Sequence, residues 1–157
     1  MKTYTTIDNS ICKYLDLKDT YRYVCLSFTP TKDNNTYTDS TFKQIMSLTG
    51  DKSEETIKDF VDRLRKSEYI KIETYQTEYQ VKRNKYYMKP LEKNYRRISN
   101  EIIGMDLSIA HKGFLIQLFG LCINLTNRTE FTNKEIAARL GLSENTISTY
   151  TKKLVEL

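Results

Sequence analysis

Residues 130–157 read EFTNKEIAARLGLSENTISTYTKKLVEL, and the spacing inside this stretch decides the fold class. Thr132 with Glu135 three places on is a capping box, in which hydroxyl and carboxylate each satisfy a backbone N–H that the first helical turn leaves unpaired. Ile136, Ala137 and Leu140 then share one face, and Gly141 supplies the left-handed backbone that ends a helix without steric cost. The spacing predicts a short helix over Asn133 to Leu140. Ser143 is the next N-cap, Glu144 sits at the positive end of the following dipole, and Ile147, Tyr150 or Thr151, and Leu154 give a second apolar stripe. Two helices across a tight glycine turn make a helix-turn-helix.

With small Ala137, turn Gly141 and inward Ile147 in place, the segment resembles the helix-turn-helix of LuxR-type response regulators and of winged-helix repressors. In those families the second helix lies in the DNA major groove. The resemblance implies groove-facing positions at Ser143, Asn145, Thr146, Ser148, Thr149 and Lys152. The competing reading is a helical hairpin packed for its own sake, since short helix pairs with glycine turns are common.

A chain of 157 residues suffices for one ordinary domain or two small ones. Charged residues make up 29% and hydrophobic ones 39%, which excludes a disordered chain and a membrane protein. The longest apolar run, GFLIQLFGLCINL from Gly113 to Leu125, falls short of the roughly 20 residues of a membrane span. The opening MKTYTTIDNS has no apolar core of the signal-peptide kind. Cys12, Cys25 and Cys122 are odd in number and widely spaced, so they read as reduced thiols in a cytoplasmic protein.

The net charge of +5 is concentrated in one place. Between Lys82 and Arg97, KRNKYYMKPLEKNYRR holds seven basic residues and one acid, with Tyr86, Tyr87 and Tyr95 interleaved. Such a strip suits a phosphate backbone, with Lys82, Arg83, Lys85, Arg96 and Arg97 as the contacts. A solvated strand edge followed by a charged linker is the plainer alternative.

Helical landmarks also repeat at an interval of 90 or 91 residues: Leu17 with Leu107, Ile45 with Ile136, Gly50 with Gly141, Ser53 with Ser143, Ile57 with Ile147, Leu64 with Leu154. The interval is that of a small duplicated domain, too long for a solenoid. In the first copy Tyr21, Val24, Cys25 and Phe28 mark a leading helix, Thr38 to Thr49 the second and Ser53 to Ser67 the third. YIKIETYQTEYQVKRNKYYM, Tyr69 to Met88, then reads as a hairpin, the wing of a winged helix. A second wing would begin near position 159, past Leu157, so the second copy is either wingless or a fragment of a longer chain.

The two third helices differ in charge. The first presents Glu54, Glu55 and Asp59, which repel phosphates, while the second presents an asparagine suited to adenine, hydroxyls and Lys152. The helix from Phe114 to Leu125 is apolar most of the way round, with Ile116, Gly120 and Ile123 as a second stripe. It would dock one half on the other or, as the alternative, join two chains in a homodimer.

Enzymatic motifs are missing: His111 is the only histidine, and no HExxH, GxxxxGK[ST] or GxSxG occurs. No metal or other cofactor is expected. MDLSIAHKGFLIQLFGL, Met105 to Leu121, followed by a helix-turn-helix is also similar to the winged-helix domains of plasmid and phage replication initiators. The expected fold is mainly α with a small β wing: two tandem winged-helix-like domains, 8–90 and 98–157, around a basic linker at 91–97. The expected function is sequence-specific binding of double-stranded DNA, as a replication initiator or transcriptional regulator of a plasmid, phage or bacterium. The alternative is a winged-helix protein-interaction adaptor.

Overall fold

Side-chain oxygens decide where the helices begin. Strand β1 (Tyr4–Asp8) runs into a 3-10 turn (Asn9–Lys13), and Asp16 then caps α1 (Leu17–Ser27) by accepting from the Asp19 N–H at 2.8 Å. A short strand β2 (Tyr37–Thr38) precedes α2 (Phe42–Thr49), which Thr41 and Gln44 open as a capping box. Gly50 at φ 80° ends α2, and Ser53 caps α3 (Glu54–Ser67). Then come the hairpin β3 (Lys71–Gln76) and β4 (Lys82–Tyr87), strand β5 (Tyr95–Ser99), the single turn α4 (Glu101–Gly104), and α5 (Ile109–Gly120) capped by Ser108. Finally α6 (Asn133–Leu140) and α7 (Glu144–Val155) start on Thr132 and Ser143. This computed structural model describes residues 1–123 and 126–156; Leu125, the expected end of the apolar helix, and Leu157, the end of the stretch from Glu130, lie outside them.

Among the described residues the chain is mixed α/β, with seven helices and two small antiparallel sheets of order β1-β5 and β2-β4-β3. Expectation and structure agree at Asn133–Leu140, at the third helix of the first half and at the wing hairpin. The second helix is shorter than expected. Thr38 pairs with Tyr86 as a strand, and the Thr41 cap moves the helix start to Phe42. The supposed linker at 91–97 is a strand from Tyr95 onward, because β1 provides a partner along its whole length. Strand β1 begins at Tyr4, ahead of the expected boundary at residue 8.

The β1-β5 seam is centred on Thr6 opposite Arg97, positions 91 residues apart. Thr41 and Thr132, the capping-box threonines of α2 and α6, are separated by the same interval. Beside this seam α1 and α5 pack closely, and one residue sets how closely. At Gly113 an added Cβ would stand 1.7 Å from the Leu17 carbonyl oxygen, so only glycine fits. Buried Gln117 fastens the same contact, its Nε2 donating to the Leu15 carbonyl at 3.1 Å and to Thr20 Oγ1 at 2.8 Å.

The apolar core is continuous across that junction. Ile98, Ile102 and Ile116 from the second half pack with Ile7, Val24, Phe28, Ile57 and Phe60 from the first. Each fully buried aliphatic or aromatic side chain of this kind contributes about 2 kcal/mol, and the shared burial holds the halves together. A smaller cluster of Phe114, Ile136, Ala137, Leu140 and Ile147 seats α6 and α7 on α5. Docking of the halves therefore takes up Ile116, which is buried, and brings Gly120 against Asn9. Ile116 offers no face to a second chain; Gly120 is half-buried and Ile123 exposed.

Candidate nucleic-acid interface

The base-reading candidates all lie on or at the start of α7, and packing divides them into two groups. Ile147 is fully buried against α5 and α6, while Tyr150 brings its ring to 5.3 Å from Phe114 and 4.3 Å from His111. With that face inward, Asn145, Thr149 and Lys152 fall at i, i+4 and i+7 on the outside, and all three are exposed. Ser143 is exposed too, but its Oγ accepts from the Thr146 N–H at 3.1 Å and meets Thr146 Oγ1 at 2.8 Å. Thr146 and Ser148 are half-buried. The exposed stripe is thus Asn145, Thr149 and Lys152, with Ser143 and Thr146 engaged in the cap.

Hydrogen bonding narrows the stripe further. Thr149 Oγ1 donates back to the Asn145 carbonyl at 2.9 Å, which leaves its lone pairs and methyl outward. The Asn145 amide and the Lys152 ammonium project from the exposed face, the two groups best suited to a base edge and a phosphate. Lys153, beside Lys152, lies 3.8 Å from Glu156 in a solvent-exposed pair of little energetic weight.

The basic strip does not form one surface. Lys82, Arg83 and Lys85 lie on β4, whereas Arg96 and Arg97 lie on β5 in the other sheet. Arg83 Nη2 donates to the Asp39 carbonyl at 2.6 Å, and Arg96 Nη2 donates to the Cys122 carbonyl. These two guanidiniums brace the fold. Lys85 sits between two rings, its Nζ 4.8 Å from the Tyr37 centroid and 5.1 Å from that of Tyr75. Arg97 lies over Tyr4 at 3.9 Å but remains exposed, as does Lys82. Lys82 and Arg97 keep the accessibility that a phosphate contact needs.

Several positions that shape the site carried little sequence signal. His111 links α5 to α7 by stacking on Tyr150, with Nδ1 2.6 Å from Ser108 Oγ. Burial, and after it the charge of Lys153, lowers its pKa below the ordinary imidazole range. Lys134 is exposed in the first turn of α6, beside N–H groups that favour an anion. In the first half Arg22 binds Asp51 through two bonds of 2.9 Å and Asp19 through one of 2.9 Å, while Arg63 meets Asp19 at 2.7 Å. That network pins the α2–α3 turn to α1.

Burial pushes the Cys25 thiol up to about 12, away from nucleophilic chemistry. Among the described residues, no group of three or more His, Cys, Asp or Glu is placed to hold a metal ion. No described helix is long and apolar enough to cross a membrane.

Residues 131–157 match the family described as winged helix-turn-helix DNA-binding. The matched stretch takes in the Thr132 cap, α6, the Gly141 turn and α7. No curated protein and no solved structure matches the chain.

Proposed function

We propose that this protein binds double-stranded DNA in a sequence-specific way, with α7 in the major groove. One observation carries the reading: Asn145, Thr149 and Lys152 form an exposed stripe on the second helix of a helix-turn-helix that matches a DNA-binding family. Asn145 reads an adenine edge, Thr149 contacts a base methyl or phosphate, and Lys152 neutralises a phosphate. Lys134 and the N–H groups opening α6 flank the same groove, with Lys82 and Arg97 as further phosphate contacts. The protein acts in the cytoplasm, without cofactor or catalysis, as an initiator of replication or a regulator of transcription in a plasmid, phage or bacterium. Its two halves are winged-helix-like units in tandem, and the similarity of Met105–Leu121 to replication initiators favours the first role.

Adaptor function is the second reading, favoured by the acidic outer face of α3, where Glu55, Asp59 and Asp62 are exposed. Selection of preferred duplexes from a random pool, followed by anisotropy titrations at several salt concentrations, separates the two. A DNA-binding protein shows log K falling linearly with log salt, by about 0.9 for each phosphate neutralised. Asn145→Ala with Lys152→Ala then abolishes sequence preference and leaves weak, salt-sensitive binding. Retained preference in the double variant, or no duplex binding at low salt, would overturn the proposal.

A further inference from the structure

The β2-β4-β3 sheet has one face against the core and one face outside, and the outside face has an unusual set of residents. Alternation along the strands sends Thr38, Ile72 and Tyr86 inward, Thr38 and Tyr86 being buried. The other face carries Tyr37 on β2, Lys71, Glu73 and Tyr75 on β3, and Arg83, Lys85 and Tyr87 on β4. The rings of Tyr37 and Tyr87 lie 5.5 Å apart. The Lys85 ammonium stands between Tyr37 and Tyr75, and the Lys71 ammonium lies 5.3 Å from the Tyr87 ring. Two acids reach this face: Glu73 accepts from the Tyr87 hydroxyl at 2.8 Å and lies 2.5 Å from the Lys71 ammonium in an exposed pair, and Asp39, at the edge beside β2, accepts from the Tyr75 hydroxyl at 3.2 Å.

Three half-buried tyrosines with three cations on a face turned from the core exceed what a solvated hairpin needs. Cross-strand pairs of this kind do stabilise the sheet, each by a few tenths of a kcal/mol to about 1 kcal/mol. Thr and Glu would serve that end without leaving aromatic surface in contact with water.

We propose that this sheet face is a second binding site, one that takes unpaired nucleotides of single-stranded nucleic acid. The chemistry selects the ligand. Bases without a complementary strand offer π-faces to stack on Tyr37, Tyr75 and Tyr87, while their phosphates meet Lys71 and Lys85. Bases in a duplex are already stacked on each other, so duplex DNA would engage the lysines alone. An acidic peptide would likewise leave the tyrosines without a role. Because stacking is indifferent to base identity, the site binds with little sequence preference and operates independently of α7.

The test uses the full-length protein and a labelled oligothymidylate of about 12 nucleotides, a length in the range one such surface covers. Anisotropy reports affinity, and the protein's own emission reports stacking, since the chain has 12 tyrosines and no tryptophan. Oligothymidylate quenches tyrosine emission as it binds. Tyr37→Leu and Tyr75→Leu each weaken binding roughly tenfold, whereas Tyr37→Phe and Tyr75→Phe, which keep the ring and lose the hydroxyl, change it less than twofold. Duplex affinity stays the same in all four variants, and Asn145→Ala with Lys152→Ala leaves oligothymidylate binding intact. Equal losses for leucine and phenylalanine, binding without quenching, or no binding at low salt overturns the proposal. Melting curves check that the leucine variants fold. Should they fail to fold, the phenylalanine variants and the wild-type quenching decide: binding without quenching would still refute stacking.

Discussion

Two helices of the same kind, α3 and α7, present opposite chemistry to solvent. Counted from their caps, Ser53 and Ser143, the inward positions correspond: Ile57 with Ile147, both fully buried, Phe60 with Tyr150, Leu64 with Leu154. The outward positions do not. Where α7 exposes Asn145, Thr149 and Lys152, α3 exposes Glu55, Asp59 and Asp62. The buried positions seat each helix against its neighbours; the exposed ones decide what it can approach. Three carboxylates turned to a phosphate backbone repel it, an effect that exposed Lys58 and Lys66 on the same helix offset in part, so a shared buried pattern here does not imply shared function.

The same contrast continues where each helix-turn-helix meets the helix before it. In the first half α3 and the Gly50 turn are tied to α1 by ions, Arg63 to Asp19 and Arg22 to both Asp19 and Asp51. In the second half the corresponding contact is aromatic, Tyr150 against His111 and Phe114, with Leu142 packed beside the turn. Both comparisons assume that α1 and α5 hold the halves in register, and Gly113 is where that assumption breaks most easily. Gly113→Ala puts a methyl group inside the van der Waals radius of the Leu17 carbonyl. The backbones must separate, at a cost of about 3 kcal/mol or more, visible as a large fall in Tm or in denaturant midpoint. A melting temperature within a degree or two of wild type would mean that the helices tolerate a looser seam.

Arg22→Leu is the next largest test, and it strikes one half only. It leaves the Asp51 carboxylate, whose side chain is 7% exposed, without its bidentate partner, and costs about 3 kcal/mol. Acid should reproduce part of the effect. Burial pushes the Asp51 pKa up, but the hydrogen bonds from Arg22 and Thr49 and the charge of Arg22 outweigh it, so the net shift is downward. A carboxyl depressed in the folded state lends stability above its unfolded pKa and loses it as pH falls through the folded value. Wild type therefore loses stability below about pH 4, and Arg22→Leu shows a flatter acid limb. Parallel limbs in the two proteins would show that the network carries no linkage.

How much of this was legible in the sequence depended on whether the cause was local. The box at Thr132 with Glu135 and the glycine that follows act within a few residues, and the helix they bound stands as expected at Asn133–Leu140; the box at Thr41 with Gln44 is as local, but the expected helix starts at Thr38, where the distant Tyr86 makes a strand instead. Strand β5 was hidden because its partner is 91 residues away and its arginines resemble a linker. The bracing bonds of Arg83 and Arg96 are hidden for a related reason. Charge shows in a sequence, but the carbonyls of Asp39 and Cys122 that occupy those guanidiniums do not. Nothing in the sequence marks Gly113, because the Leu17 carbonyl that excludes a Cβ there belongs to another helix.

A direct way to sharpen the α3–α7 comparison is to erase it. Glu55→Asn, Asp59→Thr and Asp62→Lys together give α3 the outward residues of α7 without touching its buried face. If charge alone keeps α3 from DNA, the triple variant binds mixed-sequence duplex about tenfold more tightly at low salt. Its salt slope also steepens by about 0.9 for the added phosphate contact. Unchanged affinity and slope would show that α3 faces away from the duplex and that its acids answer to something else.

The smallest expected effect belongs to the aromatic contact in the second half. The His111 pKa is lowered in the folded protein, chiefly by burial and then by Lys153, so the folded state holds the neutral ring more strongly than the unfolded chain does. Between the two pKa values the unfolded chain binds more protons, and stability must fall as pH drops below about 6.5. Because the ring is only partly enclosed, the loss is small beside that of Arg22→Leu. His111→Gln should remove it, so that melting temperatures at pH 7.5 and pH 5.5 lie closer together than in wild type. Lys153→Gln, which relieves only the lesser cause, should narrow the gap by less than His111→Gln does. The reverse order would make Lys153, rather than burial against Tyr150, the main reason that this histidine stays neutral.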